Sequence, residues 1–97
     1  MQEPAFTSCL LANDNSFLLE AFAATLEGHF DKVDLAPNGK IAVELIYSRP
    51  ANHYAAIILD ISMPIMNGIE ACEIILKYLR GRSYRTPLVY ALTSEVN

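Results

Sequence analysis

Three positions along the chain set an oxygen-bearing side chain just past a strand-like stretch. Asp60 follows the unbroken apolar run 55–59, Asp14 comes shortly after the stretch 6–12, and Thr93 with Ser94 follows the apolar run 88–92. Two carboxylates with nearby backbone carbonyls make a hard-oxygen site, which suits Mg²⁺ that keeps several of its waters. A carboxylate beside such a cation can be phosphorylated, because the metal offsets the repulsion between an anionic nucleophile and a phosphoryl group. The Thr93 hydroxyl could then donate to phosphoryl oxygens. The plainer role for an Asp at a strand end is to cap a helix or form a turn. Residue types alone leave both roles open.

The elements between these positions must bring them together. Residues 55–59, AAIIL, show neither helical period nor strict alternation, as expected of a strand buried on both faces. Pro64 biases Met63 away from the α region, and Asn67-Gly68 adds a second break before a helical pattern begins. Upstream, residues 6–12 predict a strand. Asn15 or Ser16 then caps a helix with Phe17, Leu18, Ala21, Phe22 and Leu26 on one face, closed by Gly28. Residues 31–36 alternate as a strand nearer the sheet edge, with Val33 and Leu35 inward. Pro37-Asn38-Gly39 is turn chemistry, and Asn38 caps a second helix that carries Ile41, Ala42, Leu45 and Ile46 as far as about Ser48.

The spacing predicts a third helix over about 68–79, striped by Ile69, Cys72, Ile75, Leu76 and Leu79. Lys77 and Arg80 suit the negative end of its dipole, and Gly81 stops it. Residues 88–92, LVYAL, predict a second fully apolar strand. The order β-α-β-α-β-α-β implies a parallel α/β sheet built through right-handed crossovers. All its strands exit on one rim, so Asp14, Asp60 and Thr93-Ser94 can converge although they are remote in sequence. Ligands of open α/β sheets bind at that rim.

Composition narrows the classes. At 97 residues the chain, 1–97, reads as one domain, and 53% hydrophobic with 19% charged residues is a globular balance. A net charge of −4 argues against nucleic acid as a partner. No apolar run approaches the roughly 18 residues of a membrane span, so no membrane contact is expected. Met1-Gln2-Glu3-Pro4 lacks the basic region of a signal peptide, which gives a cytoplasmic expectation. Cys9 and Cys72 read as small buried hydrophobes, with no Cys/His cluster for a metal. His29 and His53 read as surface residues, Met63 and Met66 as loop packing, and Lys77, Arg80, Arg82 and Arg85 as a solvated group.

The string Asp60-x-x-Met63-Pro64-x-Met66-x-Gly68 resembles the phosphoacceptor segment of response-regulator receiver domains. Three further matches fall in register. Asn13-Asp14-Asn15 is similar to the acidic pair and Asn after the first strand, and Asn38-Gly39 with Ala42-Val43 to the opening of the second helix. Leu92-Thr93-Ser94 is similar to the switch hydroxyl and the small residue after the fourth strand. The resemblance implies a flavodoxin-like sheet of order 2-1-3-4 and a place in two-component or phosphorelay signalling. It implies that Asp60 accepts a phosphoryl group from a histidine kinase or a histidine phosphotransfer protein, without turnover. By the same resemblance Asp14, Asp60 and the Ser62 backbone carbonyl hold Mg²⁺, Asn13 stands in the outer sphere, and Thr93 is the switch hydroxyl.

Two departures qualify that picture. Asn13 replaces one acid of the pair, which should weaken metal binding without abolishing it. The family continues with a fourth helix, a fifth strand carrying a phosphate-pairing Lys, and a fifth helix, and these 97 residues contain none of them. The expectation is therefore a C-terminally incomplete receiver, marginal alone. It would have been part of a longer protein such as a hybrid histidine kinase, tethered in that case within a membrane-associated assembly, or be completed by a homodimer or partner chain. The alternative is a degenerate pseudo-receiver that serves as a protein-binding or dimerisation module.

Overall fold

Three asparagines start the three helices. Asn15, Asn38 and Asn67 have extended backbones, and each side-chain oxygen accepts a hydrogen bond from the amide three residues on: Leu18 at 3.1 Å, Ile41 at 2.9 Å and Glu70 at 2.9 Å. Each satisfies one of the amides that a helix start leaves free. The helices are α1 (Ser16–Leu26), α2 (Gly39–Ser48) and α3 (Gly68–Arg80). They alternate with strands β1 (Ser8–Ala12), β2 (Lys32–Ala36), β3 (Tyr54–Asp60) and β4 (Leu88–Leu92). The computed structural model describes residues 8–50, 52–82 and 87–92.

The strands form one parallel sheet in the order β2-β1-β3-β4. Helices α2 and α3 lie on one face over the larger core, where Leu10, Ile57, Leu59 and Ile75 are fully enclosed. On the other face α1 packs Leu19 and Ala23 against Leu11, flanked by Leu26, Val33 and Ile58. β3 is buried on both faces, as its apolar run predicts.

The structure corrects several side-chain assignments. In α1 the buried stripe is Leu19 and Ala23 with Leu26 beside them, whereas Phe17 is 76% and Phe22 45% exposed. This helix is apolar on nearly every side, so periodicity could not choose a face. In α3 the stripe is Gly68, Ala71, Ile75 and Leu79, one position off the predicted start, and Ile69 faces outward. In β2 the inward face carries Asp34 and Ala36, and Leu35 is exposed. Gly28 and Gly81 stand where α1 and α3 end, but neither has a positive φ, so neither acts as a left-handed cap. β4 is not enclosed: Leu88, Tyr90 and Leu92 are 63%, 48% and 54% exposed. Tyr90 pairs with Ile58, which puts it on the α1 face, while Val89 packs into the α2–α3 core. An apolar groove of about 270 Å³ lies beside this open strip, lined by residues that include Leu11, Phe22, Leu26, Ile58 and Leu92.

Candidate functional site

Register brings the predicted acids to one rim. Ala12 pairs with Leu59 where β1 and β3 run side by side. The next residues along, Asn13 and Asp60, therefore leave the sheet next to each other, with Asp14 one step beyond. Neighbouring strands are about 4.8 Å apart, so carboxylates 46 positions apart in sequence share one edge. Asp60 is the last residue of β3 and its side chain is buried, whereas Asp14 is exposed. One acid is thus held rigidly in the protein and the other faces solvent.

The neighbouring backbone is fastened to this rim. The Asn13 amide donates to the Ala36 carbonyl at 3.0 Å and ties the exit of β1 to the end of β2. The Asn13 side-chain oxygen accepts from the Asn15 amide at 2.9 Å, closing a turn that aims Asp14 outward. On the far side the Ile61 amide donates to the Leu92 carbonyl at 2.7 Å, linking the start of the Asp60 loop to β4. Thr93 and Ser94, the predicted switch hydroxyl and small residue, lie outside the described residues.

The loop from Asp60 to Gly68 is short and closely held. Ser62 is exposed at its outer side, and Met63 and Met66 turn back onto the core as expected. The Met66 amide donates to the Pro64 carbonyl at 2.7 Å, a three-residue turn centred on Ile65, which has φ 71°. A β-branched residue in that region carries strain of order 1–3 kcal/mol, and such strain collects at functional loops. Ile65 is also 76% exposed. Pro64 and Asn67-Gly68 announce a turn in the sequence, but nothing there marks Ile65 as its strained residue. At the loop's end the Gly68 amide donates to the Ile61 carbonyl at 3.0 Å. A Cβ on Gly68 would stand 2.3 Å from the Asp60 carbonyl oxygen, so α3 starts against the backbone of the acid itself.

The donor set fits a small hard cation. Among the described residues no three His, Cys, Asp or Glu side chains converge on one point. A cation at this rim would draw on Asp14, Asp60 and backbone oxygen, leaving room for the waters that Mg²⁺ retains.

Sequence reading missed a second polar cluster, which centres on Asp34, 9% exposed on the α2–α3 face. Its Oδ2 accepts from the Tyr54 hydroxyl at 2.6 Å and from Arg49 at 3.2 and 3.3 Å. Lys32 and His53 stand at 4.0 and 3.9 Å. Burial pushes the Asp34 carboxyl upward, but the Tyr54 and Arg49 hydrogen bonds outweigh it and hold the group below the usual carboxylate range. Burial, then the Arg49 charge, lowers His53 below the usual histidine value. His53 is therefore not the surface residue expected: it is three-quarters covered, with its ring edge-on to Tyr54. His29 is exposed as expected. Arg82 lies 3.8 Å over the Tyr78 ring rather than being simply solvated.

The sequence model of the response regulator receiver domain matches residues 9–97. The peroxide stress-activated histidine kinase mak1 of Schizosaccharomyces pombe is 32% identical over 88 residues, 91% of this chain and 5% of that protein. The chain therefore spans about a twentieth of the length of that relative. The receiver domain of sensor histidine kinase PA1611 from Pseudomonas aeruginosa, solved with a magnesium ion coordinated in its active site cleft, is 27% identical. It superimposes with a TM-score of 0.75 over 94% of this chain and 70% of its own. The receiver domain of the Arabidopsis thaliana histidine kinase CKI1, solved with Mg²⁺ and BeF₃⁻, shares the fold at a TM-score of 0.80 and 24% identity, covering 94% and 68%. No helix among the described residues is long and apolar enough to cross a membrane.

Proposed function

We propose a role that starts from one fact: this chain belongs to the response regulator receiver domain family. Its Asp60 is the phosphoacceptor of a phosphorelay, and the donor is a phosphohistidine on a histidine kinase or a phosphotransfer protein. The observation that carries this reading is the buried carboxylate of Asp60 at the end of β3, with Asn13-Asp14 leaving β1 alongside. The relatives' naming as histidine kinases supports the same class of donor.

Asp14, Asp60 and the Ser62 carbonyl are the groups that would hold Mg²⁺. Bound there, the ion would supply positive charge against which an anionic carboxylate and a phosphoryl group can approach. Asp60 contributes the reacting oxygen: a carboxylate lone pair forms the O–P bond as the N–P bond breaks, and the imidazole keeps that electron pair and takes a proton from solvent. Burial at the strand end limits the directions from which Asp60 can be approached to the rim and the adjoining apolar groove that Asp60 also lines. Asp14, exposed and set by the Asn13 turn, contributes its charge from the solvent side. Thr93 is assigned the switch role by family analogy.

A second reading, a pseudo-receiver that only binds other proteins, is favoured by Asn13, whose side-chain oxygen is already taken by the Asn15 amide. One titration separates the two. Amide NMR spectra of the chain with Mg²⁺ and beryllofluoride should shift at residues 13–15 and 60–62, and Asp60→Asn should abolish the beryllofluoride response. An unchanged spectrum would favour the pseudo-receiver.

A further inference from the structure

The loop that carries the proposed phosphoacceptor leans on a residue from a different element. Gly39, the first residue of α2, donates its amide to the Met66 carbonyl at 3.0 Å. A Cβ built on Gly39 would stand 2.3 Å from that oxygen, 2.9 Å from its carbon and 3.1 Å from the Asn67 carbonyl oxygen. Only a residue without a side chain lets the start of α2 sit this close. Met66 is thus held twice: its amide closes the strained turn at Ile65, and its carbonyl is seated on Gly39. The contacts continue without a gap. Asn67 caps α3, Gly68 packs on the Asp60 carbonyl, and the Gly68 amide bonds Ile61. Asn38 holds the other side of the clamp by capping α2 through the Ile41 amide.

We infer that Gly39 is a positioning residue for the Asp60 site, acting through Met66 to fix the loop that presents Asp60 and the Ser62 carbonyl. This rests on the phosphoacceptor reading, because it assigns Gly39 a function at that site. The physical reason is that the Ile65 turn is a high-energy conformation, which persists only while its surroundings over-determine it. The Gly39 contact supplies part of that determination. A side chain at position 39 must displace the Met66 peptide by the better part of an ångström, and the displacement passes through Asn67 to Gly68, which packs on the Asp60 carbonyl and whose amide bonds Ile61.

The test compares Gly39→Ala with Gly28→Ala, whose new Cβ meets nothing closer than the Thr25 carbonyl at 3.9 Å. The chain has no Trp, so Mg²⁺ is titrated as its chloride and followed by amide NMR shifts at residues 13–15 and 60–62. Gly39→Ala should weaken Mg²⁺ about tenfold, the scale seen when a support behind a metal ligand is lost, and Gly28→Ala should match the wild type. A folded Gly39→Ala that binds Mg²⁺ within twofold of the wild type overturns the inference and leaves the phosphoacceptor reading intact. A merely structural role would lower the melting temperature without moving the Mg²⁺ dissociation constant of the folded protein. If Gly39→Ala gives no cooperative melt, the wild type decides: saturating Mg²⁺ should slow hydrogen exchange at the Gly39 amide but not at Gly28, and no difference overturns the inference. A wild type that ignores Mg²⁺ removes both the reading and the inference built on it.

Discussion

Removing one oxygen from Tyr54 tests the buried cluster around Asp34. In Tyr54→Phe the ring still fills its site, which is 6% exposed, and the hydroxyl loses its 2.6 Å hydrogen bond to the Asp34 carboxylate together with its contact to Arg49. A hydrogen bond to a charged group contributes about 1.5–3 kcal/mol. The lower part of that range applies, because Arg49 still reaches the same oxygen at 3.2 Å and is itself one-third exposed. Orphaning the acid altogether would cost more, about 3–5 kcal/mol. The expected loss is therefore about 2 kcal/mol at pH 7, which for a domain of this size lowers the melting temperature by about 8–16 °C.

The loss should also depend on pH, with a definite sign. Asp34 has its folded pKa depressed below the unfolded value of about 3.9. Its contribution is then fully present above about pH 4 and lost as pH falls through the folded value. Removing the Tyr54 hydroxyl moves the Asp34 pKa back up, so the gap between wild type and variant should narrow below about pH 4. Urea unfolding followed by circular dichroism from pH 7 to pH 2.5 measures both effects. A gap under 0.5 kcal/mol at pH 7, or one that stays constant to the acid end, would refute the assignment of Asp34 as a charged, hydrogen-bonded anchor.

Four further outcomes are expected. His53 has a lowered folded pKa, so its unfolded form takes up the proton first and stability falls as pH drops below about 6.5; His53→Gln should flatten the stability profile between pH 7 and pH 5. Ile57→Ala should cost about 2–5 kcal/mol, because that side chain is fully enclosed. Leu88→Thr should stay within about 0.5 kcal/mol, because Leu88 is 63% exposed, and an equal cost for both in thermal unfolding would mean that the open face of β4 is covered in solution. Asp60→Asn should remove the beryllofluoride response while leaving the fold intact by circular dichroism.

The fold was largely legible because its signals are local and strong. The cap signals at Asn15-Ser16 and Asn38, the Asn67-Gly68 break, two Pro-containing turns and the unbroken apolar run of β3 fix the element order, and alternation of strand and helix then dictates a parallel sheet. The pairing of Asp14 and Asp60 on one rim follows from that topology alone. Helix faces were harder to read. In α1 an apolar residue stands on nearly every side, and only contact with Leu11 and Ile58 selects Leu19 and Ala23. Asp34 could not be seen as buried, because its partners Arg49 and Tyr54 are 15 and 20 positions away, and no period or motif links them. Gly39 looked like turn chemistry; that it touches the Met66 carbonyl is a tertiary fact, visible only once α2 and the β3–α3 loop are placed together.

The two polar clusters share β3 and divide the labour of its ends. Tyr54 opens the strand and secures it to β2 and the end of α2 through Asp34 and Arg49, and Asp60 closes it at the rim where the chemistry is proposed. Seven residues of parallel strand separate these ends by about 20 Å, farther than an exposed charge acts through physiological salt. A change at Tyr54 should therefore alter stability and its acid limb but leave the Mg²⁺ affinity of the folded protein unmoved, whereas Gly39→Ala should shift that affinity. Loops bear the strain at one end, at Ile65, while the other end is anchored by a buried charge. That division lets a short strand present a reactive carboxylate without relying on the reactive end for its own stability.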